Sequence, residues 1–300
     1  MRYINRHLAV TTGILVALAG TAVPARAVTP ISKCDPSSPP PAGSLISAPG
    51  NYVLTANLTC TGLGDGDAID ISASNVTVNL NGHIITGPGA LNATGISIDF
   101  SFFAPRVNHV GISGPGVVQG FGTGVSVQHA DYSQVTQTTI VGNQVGIAVS
   151  DATYTTLAGN TVGRNSVGGA GVGLDLYLST GAQVTDNQFV ANGLGIYAES
   201  GDSNMVTGNV ISGNLGAGIQ LGTGVPLTNS RFSGNTTNVN GVWGIFVQQL
   251  EPGNFGNEFF NNTSIGNGKY DLEDDNPPSC GTVYWSNDVF FTTNNPSCVR

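Results

Sequence analysis

The sequence predicts an all-β protein, a single-stranded right-handed parallel β-helix of about eight coils with a cap at each end. Three observations support this prediction: a glycine-rich, charge-poor composition, short aliphatic runs at near-regular spacing, and two series of asparagines that recur at the same spacing. Gly contributes 43 of 300 residues and charged residues only 9 %, while apolar residues still make up 40 %. This balance excludes disorder, which needs low hydrophobicity with high charge, and favours many short strands joined by tight turns.

The first 27 residues have the three zones of a secretory signal peptide. Arg2, Arg6 and His7 give a basic start, and residues 8–20 form an apolar run that is short for a membrane span. Small residues occupy positions 25 and 27, the two positions before the cleavage site that a signal peptidase recognises. We therefore expect cleavage after Ala27 and a secreted or periplasmic protein. No later stretch is apolar over the roughly 18 residues that a membrane helix needs, so we expect no membrane span.

The mature chain is strongly acidic. Removing the leader takes away three of the nine basic residues and none of the 18 acidic ones, which moves the formal net charge from −9 to −12. A chain with so few cations has no basic stripe to neutralise phosphates, so nucleic acid is excluded as a partner. We expect a monomer.

A repeat sets the coil count. A Gly-aliphatic step recurs through the chain at intervals of 22 to 29 residues. Its aliphatic anchors are Ile96, Val125, Ile147, Leu174, Ile196, Ile219 and Ile245, and Asp271 ends the series with the glycine lost. A single coil has no partner for its apolar face, so the coils must stack and the ends must be capped. The predicted division is an N-terminal cap at 28–60, coils at 61–275 and a C-terminal cap at 276–300.

Two asparagine columns accompany these steps. Members of one column are Asn160, Asn187, Asn209, Asn235 and Asn262, and members of the other are Asn143, Asn165, Asn192, Asn214, Asn240 and Asn267. Equivalent residues of a coiled chain stack roughly 4.8 Å apart, so a buried Asn can hydrogen-bond its equivalents above and below. The columns are therefore interpreted as structural rather than catalytic.

Four cysteines remain in the mature chain, two near each end. Four cysteines allow three pairings, but an elongated stack holds the two ends far apart, which favours Cys34–Cys60 and Cys280–Cys298. Free buried thiols are the alternative.

Several segments resemble the pectin-lyase-like right-handed β-helix superfamily, in particular its bacterial exported members. They are residues 75–89, the Asn-Gly-x-Gly-Ile units, Tyr-Asp-Leu at 270–272 and the stretch 276–287. The resemblance covers residues 45–298 and implies the fold. It also implies a polysaccharide lying along an outward face, but the same scaffold carries lyases, hydrolases, epimerases, phage tailspikes and non-enzymatic proteins.

One outward face combines acids and aromatic rings. Positions one and three past each anchor bring Asp175 and Glu199 onto adjacent coils as diagonal neighbours, with Cβ atoms roughly 8 Å apart. That separation suits the two carboxyl groups of an inverting glycosidase, so Asp175 and Glu199 are the candidate catalytic residues. The candidate substrate-binding residues on the same face are Tyr177, Tyr197, Gln220, Phe246 and Gln248. The alternative is a solvated polar face on which two acids are neighbours by chance.

Other chemistry is poorly supported. A lyase needs a base together with a cation that neutralises the substrate carboxylate, and the turn positions of Arg106, Arg164, Arg231 and Lys269 suggest solvated side chains. Asp65, Asp67 and Asp70 lie in a Gly-rich turn whose carboxylates could hold Ca²⁺, but the sequence favours a structural turn that leads into the first strand. No cofactor and no other metal site is predicted.

Three functions are compatible with the sequence: a solenoid that binds carbohydrate or another surface polymer without catalysis, a polysaccharide-degrading enzyme, and a structural surface protein. The sequence favours them in that order.

Overall fold

Parallel strands wind into a solenoid with three long sheets. The computed structural model describes residues 27–34, 44–89, 91–98, 105–166, 171–222, 226–248, 255–276 and 283–299. Every regular element within these ranges is a β-strand, and every pairing between named strands is parallel. Nowhere in the described part of the chain is there a helix long and apolar enough to cross a membrane.

Each sheet collects one strand from each successive coil. The first sheet contains Val28–Ile31, Gly50–Leu54, Val76–Asn79, Val110–Ser113, Gln134–Thr136, Thr156–Ala158, Gln183–Thr185, Met205–Thr207, Arg231–Ser233, Asn257–Phe260 and Val283–Ser286. The second sheet contains Leu58–Thr59, Ile84–Thr86, Val117–Gln119, Thr139–Val141, Thr161–Gly163, Gln188–Val190, Val210–Ser212 and Thr236–Asn238.

The third sheet contains Ser44–Ile46, Asp67–Ile71, Thr94–Ile98, Thr123–Gln128, Val145–Ser150, Val172–Thr180, Leu194–Asp202, Ile219–Leu221, Trp243–Val247 and Tyr270–Asp274, with Leu227–Thr228 paired beside Leu194–Asp202. A short two-stranded sheet joins Val107–Asn108 to Ala130–Asp131.

The predicted right-handed β-helix is confirmed, and so is its coil register. Each aliphatic anchor from Ile96 to Ile245 pairs with the anchor of the next coil. Two details differ. Ile245 pairs with Leu272 rather than Asp271, because the last coil is one residue longer. The stack has about nine turns, since the third sheet continues before Ile96 through Ile69.

Alternation within each strand builds the core. In the strand Val172–Thr180, Leu174 and Leu176 are fully buried while Asp175 between them faces outward, half-buried. The glycine before each anchor is required by the neighbouring coil. A Cβ at Gly146 would stand 2.5 Å from the carbonyl oxygen of Gly173, so no larger residue fits there.

The asparagine columns are structural, as predicted. In each ladder the side-chain oxygen of one Asn accepts hydrogen bonds from the backbone N–H and the side-chain amide of the Asn one coil earlier. Asn209, for example, accepts both bonds from Asn187 at 2.9 and 3.0 Å. The amide of Asn187 also donates to the Leu157 carbonyl at 2.8 Å. These bonds satisfy the turn backbone without water, and all the Asn residues of the ladders except Asn267 are at most 2 % exposed.

Both ladders end on carboxylates. Asp288 accepts the backbone and side-chain bonds of Asn262, and Asp271 accepts those of Asn267. The second oxygen of Asp271 accepts from the backbone N–H groups of Phe291 and Thr292. Burial alone would raise the pKa of Asp271, but these four hydrogen bonds lower it below its usual range.

The sheets run on into both segments that the sequence assigns to caps. Val28–Ile31 and Val283–Ser286 each pair in parallel with the adjacent coil. The predicted Cys34–Cys60 disulfide is present, with its Cα atoms 5.5 Å apart. Cys298 is disulfide-bonded too, while its predicted partner Cys280 lies outside the described residues. The signal peptide also lies outside them apart from Ala27, so its cleavage and the domain boundaries stay predictions.

Candidate functional site

Two outward columns of the third sheet bring the predicted site residues together. Asp175 pairs with Tyr197, Tyr197 with Gln220 and Gln220 with Phe246, which makes one column along four coils. Tyr177 pairs with Glu199 in the column two residues further on. Asp175 and Glu199 are therefore diagonal neighbours on adjacent coils, in the register that the sequence predicts. We call the surface formed by Asp175, Tyr177, Tyr197, Glu199 and Gln220 the acidic face.

Tyr197 is hydrogen-bonded to one of the two carboxyl groups. Its hydroxyl donates a hydrogen bond of 2.7 Å to Oε2 of Glu199, two residues along the same strand. Burial and then the negative charge of Glu199 raise the pKa of Asp175 to about 6. Burial and the bond to Glu199 likewise raise the pKa of Tyr197, which keeps its phenol protonated as a donor. A carboxyl group with a raised pKa of about 6 stands beside a carboxylate that accepts a hydrogen bond, an arrangement suited to general acid and base roles.

Gly222 makes room for this arrangement. A Cβ on Gly222 would overlap the Tyr197 hydroxyl, although the φ of Gly222 is not in the left-handed region. The glycine is therefore needed for the position of Tyr197 and not for its own backbone conformation. Sequence reasoning placed Gly222 on this face but gave it no role.

The remaining predicted residues differ in accessibility. Tyr177 is 38 % exposed and Gln220 is half-buried, so both can contact a ligand. Phe246 is only 8 % exposed and stacks on Trp243 at 4.4 Å between ring centroids, so it offers a ligand little surface. Gln248 is half-buried and directly follows the strand Trp243–Val247. The ligand-binding roles of these residues stay predictions.

A charged cluster at the corner after the third sheet was missed by the sequence reasoning. Arg106 contacts Asp131 at 3.0 Å and Asp151 at 3.2 Å, and Asp151 also accepts a 2.7 Å hydrogen bond from Nδ1 of His129. Burial would raise the pKa of Asp131, but the hydrogen bond and charge of Arg106 lower it. The suggestion that Arg106 is solvated is therefore wrong, because its guanidinium is engaged by two carboxylates.

The predicted calcium residues lie in and just before the strand Asp67–Ile71, near the N-terminal edge of the third sheet. Burial and then the charge of Asp67 raise the pKa of Asp70 to about 6, while Asp65 accepts a hydrogen bond from Asn92 at 3.2 Å. Within the described ranges, no group of three or more His, Cys, Asp or Glu side chains is placed to hold a metal ion. Calcium at these three residues stays a prediction.

Comparison with known proteins places the chain in a family. Residues 123–295, more than half of the chain, match the family model for the right-handed beta helix region. The chain belongs to this family. A search of curated protein sequences finds no significant match.

Two phage tailspikes are similar in structure to this β-helix protein. The Dettilon tailspike protein aligns with a TM-score of 0.65 at 14 % identity over 91 % of this chain, which spans 60 % of the tailspike. The enzymatically active domain of bacteriophage CBA120 tailspike protein 2 aligns with a TM-score of 0.51 at 14 % identity, over 80 % of this chain and 37 % of that one. At such identities the likeness concerns the fold.

Proposed function

We propose that this protein is exported and binds a carbohydrate polymer along the acidic face. The observation that carries the proposal is the in-register column Asp175–Tyr197–Gln220 beside Tyr177 and Glu199, which puts acids, an amide and phenol rings on one outward surface. Tyrosine rings pack against the apolar faces of sugars, and carboxylates and amides bond their hydroxyl groups. The Cys34–Cys60 disulfide supports export, because such bonds persist in oxidising compartments.

A second candidate function, hydrolysis of the bound polymer, is favoured by one observation. Asp175, with its pKa raised to about 6, can protonate the leaving glycosidic oxygen, while Glu199 removes a proton from the attacking water. The bond between the anomeric carbon and the leaving oxygen breaks as the bond to the water oxygen forms. The enzymatic activity of the CBA120 tailspike domain is compatible with catalysis on this fold and assigns no reaction to this chain.

Binding is tested by isothermal titration of the mature protein with a panel of neutral and uronate polysaccharides. We expect binding of at least one neutral polymer, because a chain of net charge −12 repels an anionic one. The variant Gly222→Ala should weaken that binding about tenfold, since the added methyl group displaces Tyr197. Absence of binding to every polymer would contradict the proposal and leave a structural role.

Hydrolysis is tested on the same panel by following reducing ends, with absorbance of unsaturated products as the check for a lyase. Asp175→Asn and Glu199→Gln should each lower the hydrolytic rate by at least about 100-fold while binding persists. Asp186→Asn is the matched control, because Asp186 is an exposed acid in the turn between Gln183–Thr185 and Gln188–Val190, outside the acidic face. Equal rates for all variants would exclude the two carboxyl groups from catalysis.

A further inference from the structure

The first sheet contains a glycine that its surroundings do not require. An outward column of this sheet runs through eleven described positions, and Gly111 is its single glycine. The column consists of Val28, Asn51, Thr77, Gly111, Gln134, Thr156, Gln183, Met205, Arg231, Glu258 and Tyr284. Gly111 does not have a left-handed φ, and an added Cβ would meet only Thr77 Cγ2, at 3.8 Å. This contrasts with Gly146, where the next coil forbids a side chain.

Glycine weakens a strand, so a strand glycine without a steric cause indicates a place that something else approaches closely. At Gly111 the missing side chain opens a depression of about 150 Å³, which we call the Gly111 notch. Its lining consists of Thr77, His109, Val110, Gly111, Tyr132 and Gln134. One ordered water needs only roughly 10–15 Å³ of such space, so the notch has room for several waters or one sugar-sized ring.

One wall of the notch is aromatic and belongs to a stack. His109 and Tyr132 stack at 5.2 Å between ring centroids, and Tyr132 stacks on Tyr154 at 5.1 Å. Tyr132 and Tyr154 are each about half exposed, so ring edges and hydroxyl groups remain accessible. Neighbouring rings fix the orientation of Tyr132, which lowers the entropy that a ligand would have to remove.

The polar groups of the notch include both hydrogen-bond donors and hydrogen-bond acceptors. Nδ1 of His109 lies 3.0 Å from Oδ1 of Asn108, so donation to that oxygen leaves Nε2 as an acceptor. Thr77 donates to Asn51 at 2.8 Å and keeps its oxygen lone pairs, while Gln134 is exposed and offers a donor and an acceptor. No Asp, Glu, Lys or Arg lines the notch. The nearby Arg106 is held by Asp131 and Asp151.

We propose that the Gly111 notch binds a single neutral sugar residue. A hexose combines an apolar ring edge, which suits the His109 and Tyr132 wall, with hydroxyl groups that both donate and accept hydrogen bonds. A uronate or a phosphorylated sugar would find no cation in the lining. The notch lies on a different sheet from the acidic face, and its occupancy does not depend on the function proposed for that face.

The test uses proton NMR of the mature protein titrated with glucose, galactose, mannose and N-acetylglucosamine as separate probes. We expect at least one sugar to shift the imidazole signals of His109 and the ring signals of Tyr132, with a Kd on the order of 1 mM. Gly111→Val fills the notch and should raise that Kd at least about tenfold. Thr156→Val, a change in the same column outside the notch, should leave it unchanged.

A folding defect is separated from a binding defect by thermal unfolding. Gly111→Val should have a Tm equal to or above that of the wild type, because valine is favoured over glycine in strands. Binding to Gly111→Val as tight as to the wild type would overturn the proposal. So would an absence of shifts at His109 and Tyr132 with all four sugars, and shifts confined to Tyr177 and Tyr197 would instead support binding at the acidic face alone.

Discussion

At the residue scale, the raised pKa of Asp175 is the property of the acidic face with the most direct chemical consequence. Its side chain lies between the buried residues Leu174 and Leu176 along the strand, one coil from Tyr197 and diagonal to Glu199. Loss of water and the negative charge of Glu199 both disfavour a second charge at this point, so the pKa of Asp175 rises to about 6. The group therefore reduces the stability of the folded state when it ionises.

This predicts a pH-dependent effect of Asp175→Asn. The folded-state pKa of about 6 lies above the 3.8 of an unperturbed aspartate, so stability falls as the pH rises from about 4 through 6. Asparagine has no charge to desolvate, and the variant should be more stable than the wild type by about 2 kcal/mol at pH 8 and no more stable at pH 3.5. Urea unfolding at both pH values measures this, and an equal difference at the two would contradict it.

The residue scale also separates what the sequence could predict from what it could not. Counting from the anchors placed Asp175 and Glu199 correctly, because strand positions repeat with the coil. The Arg106 cluster was missed because Arg106 lies in a longer coil, 23 residues before His129, and beyond the end of the strand. The 22-residue spacing of His129 and Asp151 was an available signal, since it equals the spacing of their anchors.

At the element scale, the turns between the first and second sheets depend on one ladder of buried amides. Asn187 illustrates the hydrogen bonds that each member makes. It accepts two bonds from Asn160, and its amide donates to Asn209 and to the Leu157 carbonyl. The ladder was predictable from sequence because its members recur in step with the anchors. The carboxylates that end the two ladders, Asp288 for this one and Asp271 for the other, were not predictable. Asp288 itself, and the Phe291 and Thr292 backbone that contacts Asp271, belong to the C-terminal segment, which has no repeat.

Replacing Asn187 with alanine should therefore be costly. The change leaves the N–H of Asn160 and the carbonyl of Leu157 buried with fewer partners, and we expect a loss of about 3 kcal/mol in the free energy of unfolding. Gln188→Ala is the matched control, since Gln188 is the next residue but is exposed, and it should cost less than about 0.5 kcal/mol. Urea unfolding compares the two, and similar losses would argue against the ladder as the source of stability.

At the scale of the whole molecule, stability is distributed along the stack because each coil contacts only its neighbours. The Cys34–Cys60 disulfide closes a loop with a sequence separation of 26 residues around the first coils. Its contribution should therefore be local. The sequence predicted this bond because two of the four cysteines lie near each end, whereas the additional turn was missed because the strands before Ile96 lack the repeated Gly-Ile step.

The double variant Cys34→Ser/Cys60→Ser should loosen the N-terminal end and leave the middle intact. Loop closure of this length is worth about 3 kcal/mol, enough for the first coils to open more often. Amide hydrogen exchange should accelerate in Val28–Ile31 and Gly50–Leu54 while Gln183–Thr185 keeps its protection. A uniform acceleration along the chain would show that the stack unfolds as one unit.

Because the ladder makes the same contacts from coil to coil, the number of coils in such a chain can change during evolution. Asn187 and Asn209 are 22 residues apart and make the same contacts, so loss of residues 188–209 would bring Asn187 against Asn235 with the bonding pattern preserved. Duplication of residues 188–209 would add one more coil, with one more Asn in the ladder, in the same way. The molecule can thus lengthen or shorten by gene duplication or deletion in steps of one coil, about 4.8 Å of the axis each, without a new fold having to arise.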